Sequence, residues 1–483
     1  MERNGDVTTS SKPTASSAQP PASVSTEAIA AEVDSLWRLF ESRRTVEFGW
    51  RQQQLRGVRS FFEENSDRIV AALSDDLGKP PFEAFSSDVG AVCAEVTLLL
   101  RHLPKLMRPR KVPTPALNQP ATSWVYPEPV GPVLTLPAWN YPFGLAFLPV
   151  VGALAAGNPV VLKPSEMTPR SAEVMLDYLT RYVDAEAVKV FEGGPECAEA
   201  LLEQNFGHIH YTGSAVVGRL VMAAAAKNLT PVTLELGGKN PAYVHASANL
   251  EVAARRILWG RMMNAGQVCL SPDYVLVDEA VSSKFLDAIK QAATQFYGRD
   301  PQSNPDFARI VNHRHFDRIV SLMDGAGDIL VGGETDREAR YIAPTVLTNV
   351  DDGHAIMHEE IFGPVLPVRT VSGPHEAITF MRGHPSPLAV YVFAHDRATA
   401  EHVLADTTSG SAVVNHVFTH AFNPHLPFGG VGDSGMGRYT GLSSFDCFSN
   451  MKAVMKTGSF PDISALYPPY TDWKLKLVRR ILK

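Results

Sequence analysis

From residue 132 onward, short apolar runs rich in β-branched residues alternate with stretches of helical periodicity, and the alternation runs twice. The first set offers strands at Pro132–Leu136, Val160–Leu162, Val188–Glu192, His208–Thr212 and Val232–Leu236. Helices at Ser171–Tyr182, Glu196–Gln204 and Ala215–Lys227 separate the later ones. Strands joined through helices of about ten residues make parallel crossovers rather than hairpins, and a parallel sheet is covered on both faces. After Gly238 the pattern restarts, with strands near Tyr274–Val277, Leu330–Gly332, Thr345–Thr348, Leu388–Phe393 and Ser411–Asn415. Helices such as Val281–Phe296 and Arg397–Asp406 lie among them. Two α/β units meeting near Gly237-Gly238 are predicted. Residues 26 to about 105 read as helical instead, and no fixed-period repeat occurs.

Composition narrows the possible partners. At 483 residues, 45% apolar and 20% charged, the chain is ordinary globular material with room for roughly three domains. A net charge of −7 without a Lys/Arg stripe argues against nucleic acid. Cys93, Cys197, Cys269 and Cys447 are scattered, which gives no disulfide framework and fits a cytoplasmic setting. Residues 1–25 are rich in Ser, Thr, Pro and Ala with no apolar core, so they are expected to be disordered rather than a signal or transit peptide. No run of about 18 apolar residues is present to span a bilayer.

Five stretches carry chemistry. "NAGQVCLSPDY" (264–274) sets Cys269 in a polar loop, an unusual place for a thiol that normally packs as a small hydrophobe. "LELGGK" (234–239) ends a strand on Glu235 and two glycines, where a ligand can approach closely and a half-buried carboxylate suits a general base. "YTGSAVVGRLV" (211–221) is a strand, a Gly213-Ser214 turn and a helix containing Gly218. A helix N-terminus of this kind attracts phosphate, although the usual G-x-G-x-x-G is missing. "VVLKPSE" (160–166) puts Lys163 and Glu166 just past a strand, where open α/β sheets bind ligands. In "LPAWNYPF", the Asn140 amide could donate to an oxyanion.

Plainer readings stand beside each of these: an ion-paired strand-end Glu, an ordinary β-α turn, a solvated loop, a turn Asn. His416, His420 and His425 invite a zinc site, but Val417 stands where the protease pattern needs Glu. A Cys–His thiol protease would account for Cys269 but not for the doubled α/β pattern.

Taken together the motifs resemble the NAD(P)-dependent aldehyde dehydrogenase superfamily. "LELGGK" matches its glutamate motif and "NAGQVCLSPDY" its cysteine motif 34 positions later. "WNYPF", "AAGNPVVLKPSE", "YTGS", "EEIFGPVLPV" and "LPFGGVGDSGMGRY" fall in the family's order. The resemblance runs from about residue 30 to the C-terminus and is greatest to class 3, whose members oxidise fatty and aromatic aldehydes; coniferyl aldehyde dehydrogenases lie nearby. It implies an α/β aldehyde dehydrogenase fold with two Rossmann-like domains and a small β oligomerisation arm. The implied divisions are an NAD-binding domain at 26–237 interrupted by arm strands at 108–130, a catalytic domain at 238–431, a bridging segment at 432–460 and a tail helix at 461–483.

The same resemblance makes Cys269 the nucleophile, with Asn140 and the Cys269 backbone N–H holding the oxyanion and Glu235 activating the hydrolytic water. Lys163 and Glu166 would hold the adenosine ribose, Gly213, Ser214 and Gly218 the pyrophosphate, and Glu360 with Phe362 the nicotinamide ribose; Trp139 and Gly237 complete the cofactor set. No metal is expected. The implied cofactor is NAD, with NADP as an alternative, and the implied assembly a homodimer acting on a small aldehyde. A non-catalytic relative would have lost Cys269, Glu235 or Asn140, and all three are present.

In the tail, Trp473, Leu477, Val478, Ile481 and Leu482 share one helical face, with Lys474, Lys476, Arg479, Arg480 and Lys483 beside it. Docking on the protein body, across a dimer near the substrate entrance included, is the expected use of that face. Peripheral contact with an anionic membrane is the alternative.

Overall fold

The computed structural model describes residues 25–481; most of the segment expected to be disordered, and Leu482 and Lys483, lie outside the described residues. Helices fill the N-terminal part. Thr26–Glu41 begins where the Ser25 side chain accepts from the Ala28 N–H, and it buries Ile29, Val33 and Leu36 on one stripe. Phe48–Glu64 and Ala91–Leu106 pack on the helix Pro142–Ala156. That last helix carries no helical signal in the sequence because nearly all of it is buried, and a helix apolar on every side shows no amphipathic rhythm.

The first sheet runs in the order Gly435–Met436, Val232–Glu235, His208–Thr212, Val133–Leu136, Val160–Leu162, Val188–Val190. Only the two-residue edge strand is antiparallel. Strand order reverses between Val133–Leu136 and His208–Thr212, so the carboxyl ends of these two strands open the crevice in which such sheets bind ligands. Trp139-Asn140 follows the first of them and Gly213-Ser214 the second.

The second sheet has seven strands: Asp328–Val331, Thr345–Thr348, Val365–Val371, Tyr274–Asp278, Pro241–Val244, Ala389–Phe393 and Ser411–Val414. All neighbours are parallel except the first pair. Pro241–Val244 and Val365–Val371 were not anticipated, because proline reads as a strand breaker. Pro367 is tolerated because residues 365–367 pair on one side only, with 345–347, and the pairing to 275–278 begins at Val368. A third, antiparallel sheet joins Arg110–Val112, Thr122–Pro129 and Ser449–Lys456.

No described helix is long and apolar enough to cross a membrane. The tail forms a helix over Asp472–Ile481 with no buried residue; Trp473, Leu477, Val478 and Ile481 are all exposed. Of the docking expected for that face, only the form on the chain's own body is corrected: among the described residues of one chain nothing covers it, which leaves docking across a dimer.

Candidate active site

The loop carrying Cys269 is wound tightly before the cysteine. Asn264, Ala265 and Gly266 all take positive φ, at 50°, 51° and 76°. Non-glycine residues occupy this region only when neighbours enforce it. Here the Asn264 side chain donates to the Asn140 and Gln267 carbonyls at 2.9 and 3.2 Å. Gln267 donates to the Asn264 and Arg309 carbonyls and accepts from the Val311 N–H, each at 2.9 Å. A Cβ at Gly266 would lie 2.1 Å from the Gly363 carbonyl oxygen, so only glycine fits. Asn240 completes the clamp by donating to the Cys269 and Ser271 carbonyls at 2.7 and 3.0 Å. The loop is polar, as expected, but buried rather than open: Gln267 and Ser271 are 0% and 2% exposed.

Cys269 opens onto two cavities. One, of about 250 Å³, is lined by Trp139, Asn140, Gly213, Ser214, Glu235, Gly237, Glu360 and Phe362, together with His315 and Arg318. It lies at the crevice of the first sheet. The other, of about 330 Å³, is mostly apolar, with Leu145, Leu148, Met263, Phe418, Phe422 and Phe428 in its wall, and Glu95, Tyr141 and Tyr439 as polar members. Nine of the twelve residues singled out in the sequence therefore meet in one cavity.

Three do not line it. Lys163 and Glu166 pair with each other at 3.0 Å beyond the strand Val160–Leu162. Gly218 lies inside the helix Ala215–Ala226, where a Cβ would come 2.8 Å from Leu236 Cδ2; its small size lets that helix close on the sheet. Ser214 caps the same helix by accepting from the Val217 N–H, which places the helix N-terminus at the cavity.

Glu235 ends its strand buried, and neither carboxylate oxygen has a partner among the described residues. Burial, only partly offset by Arg438, pushes it up to about 8. Its setting comes from 200 positions later, where Gly435 pairs with Glu235 and Met436 with Leu234. Glu360 is likewise pushed up to about 8 by burial and then by Asp273, against the Gly238 N–H that it accepts. A Cβ at Gly237 would overlap the Glu360 carboxylate at 2.0 Å. Arg318 donates to the Glu360 carbonyl at 3.1 Å and fixes the turn.

Asn140 is 2% exposed, and its amide donates to the Gln267 carbonyl at 3.0 Å. Cys269 is held up to about 12, by burial first and then by Glu235 and Glu360, while the backbone N–H groups of Cys269 and Leu270 favour the anion. Lys239 of the glutamate motif serves the scaffold: it pairs with Asp273 at 2.6 Å, which also binds Arg261 at 2.8 Å.

Sequence reasoning passed over Tyr141, His315, Arg318, Arg438 and Tyr439. Tyr141, Arg438 and Tyr439 stand inside quoted motifs. His315 and Arg318 carry a weaker signal, three apart on one face of the helix His313–Met323. The His315 ring lies 5.2 Å from Trp139, its Nε2 has no partner among the described residues, and burial lowers it to about 4, so it is neutral at neutral pH.

The donors and shape suit a dinucleotide: a helix N-terminus, glycines that leave no room for a side chain, and the Glu235 carboxylate and the His315 imidazole nitrogen, which lack partners among the described residues. The model of the aldehyde dehydrogenase family matches residues 8–454. Aldehyde dehydrogenase family 3 member H1 of Arabidopsis thaliana is 44% identical over 454 residues, 93% of this chain and 94% of the relative. The rat family 3 member A2 is 43% identical, covering 92% of each chain. The substrate-bound Staphylococcus aureus AldH superposes with a TM-score of 0.91 at 38% identity, over 94% of this chain and 99% of the other. An indole-3-acetaldehyde dehydrogenase of P. syringae, solved with NAD+ and IAA, superposes at 0.81 and 26% identity, over 90% of each. With its fold, its two cavities and these relatives in agreement, the chain belongs to the aldehyde dehydrogenase family, as an NAD(P)-dependent oxidoreductase that converts aldehydes to carboxylic acids.

Proposed function

We propose that Cys269 is the nucleophile, Asn140 the oxyanion donor and Glu235 the base of hydrolysis. The observation carrying this reading is that Cys269 alone borders both cavities together with Leu270-side apolar wall on one flank and Asn140 and Glu235 on the other. The aldehyde enters through the apolar cavity, and the Cys269 thiolate adds to its carbon. One Asn140 N–H is committed to Gln267, leaving the other for the oxyanion. The carbon held on Cys269 must then lose a hydride to leave a thioester, and NAD(P), which Trp139, Gly213, Ser214 and Glu360 would hold, would supply the hydride acceptor. Water attacks the thioester while Glu235 takes its proton, the acid leaves and the thiolate is regenerated. Glu235, with neither oxygen engaged, is free to hold that water.

In this reading Glu360, Phe362, Trp139 and Gly237 surround the nicotinamide ribose, and Gly213 and Ser214 face the pyrophosphate, with Gly218 packing beneath them. Lys163 and Glu166 meet the adenosine ribose. A 2′-phosphate would face the Glu166 carboxylate, which favours NAD over NADP. The apolar wall favours fatty or aromatic aldehydes, the coniferyl type included. The domain divisions at residues 237 and 431 follow the two large sheets. A cytoplasmic homodimer is the assembly proposed, with the exposed apolar face of Asp472–Ile481 left for a second copy or an anionic membrane.

Cys269→Ala tests the reading. It should abolish NADH formation, a loss of several orders of magnitude, and leave NAD binding intact by titration. Substantial NADH production by the variant would refute it.

A further inference from the structure

Tyr141 lines the apolar cavity alongside Cys269, and its phenolic oxygen is buried with no partner among the described residues. Buried hydroxyls are nearly always hydrogen-bonded, so an exception asks for a reason. The ring is held firmly. The Lys79 ammonium lies 4.0 Å from its centroid. Lys79 and Asp88 are both fully buried and pair at 2.9 Å. Lys79 also donates to the Asn140 carbonyl at 3.1 Å. Asp88 in turn accepts from the Phe143 and Gly144 N–H groups at 3.2 and 3.0 Å, in the first turn of the helix that follows Tyr141. Everything about Tyr141 is fixed except its hydroxyl. A cation against an aromatic face is attracted to the ring's electrons, and by drawing on them it makes the O–H a stronger donor.

Cys269, on the wall of the same cavity, calls for such a donor. Burial, Glu235 and Glu360 all oppose an anionic Cys269, and backbone N–H groups only partly compensate. We propose that the Tyr141 hydroxyl donates a hydrogen bond to the anionic sulfur of Cys269, with the buried Lys79–Asp88 pair holding and polarising the ring. This rests on Cys269 being the nucleophile. The thiol proton is lost to solvent, and the phenol keeps its own. Burial, followed by Glu83 and Asp88, holds Tyr141 well above the usual phenol range, so it stays a donor.

The test is Tyr141→Phe, which keeps the ring and its contact with Lys79. The rate of iodoacetamide alkylation, mapped to Cys269 by mass spectrometry at pH 7.5, should fall about tenfold, as expected for a lost hydrogen bond to a charged group. kcat/KM for a short alkyl aldehyde should fall by a similar factor, with a melting temperature no lower than that of the parent. Unchanged alkylation overturns the proposal, and so does a loss confined to oxygenated aldehydes, since that would make Tyr141 a substrate contact. Inactivation without label on Cys269 in the parent enzyme would instead overturn the nucleophile assignment, which keeps the two failures apart.

Discussion

Glu235→Gln should make the protein more stable in alkaline solution while stalling its second half-reaction. The carboxyl moves from an ordinary value of 4.5 in the unfolded chain to about 8 in the folded one, chiefly through burial. A raised carboxylate costs stability as pH climbs: nothing below 4.5, more with each unit, and the full penalty above 8. At 1.36 kcal/mol per unit the whole gap amounts to about 5 kcal/mol. Glutamine cannot ionise, so the variant escapes this slope, though its buried amide adds an offset independent of pH. Urea unfolding of both proteins at pH 5, 7 and 9 reads the effect. The stability difference, variant minus parent, should grow by about 3–5 kcal/mol from pH 5 to pH 9. Stopped-flow NADH fluorescence should show a burst followed by a slow steady state, because only deacylation needs the base. A parallel pH dependence in the two proteins would refute the burial argument. Absence of both burst and turnover would move Glu235 to thiol activation.

Asn140→Ala should lower kcat about 10²–10³-fold, as loss of one oxyanion donor does; steady-state assays at saturating NAD measure it. Glu166→Gln, which removes the charge proposed to face a 2′-phosphate, should raise kcat/KM with NADP relative to NAD; an unchanged ratio would show that the Lys163–Glu166 pair does not set cofactor choice. Removal of residues 471–483 should reduce co-sedimentation with anionic vesicles if the exposed face of Asp472–Ile481 meets lipid. Equal sedimentation of both forms assigns that face to protein, and analytical ultracentrifugation then shows whether self-association depends on it.

The strands around Val160–Leu162, His208–Thr212, Thr345–Thr348 and Ala389–Phe393 were legible because each is a compact apolar run between polar segments. Local chemistry writes such elements directly. Pro142–Ala156 was hidden because it is buried all round, and Val365–Val371 because its proline is excused only by one-sided pairing. The tail helix was legible as amphipathic, yet not what covers it.

Residue identity and spacing carried the doubled α/β alternation and the candidates Cys269, Glu235 and Asn140, and the order of the motifs, through the resemblance it supports, added Glu360. Only the tertiary structure decided that Cys269 borders two cavities of unlike polarity, that Gly237 must lack a side chain to admit Glu360, and that Glu235 is left without a partner among the described residues. The physical reason is that burial is non-local. The environment of Glu235 is made by Gly435 and Arg438, and that of Asn140 by Lys79 and Gln267. A chain reveals its own periodicity, whereas the dielectric and the missing hydrogen bonds around a side chain belong to whatever packs against it.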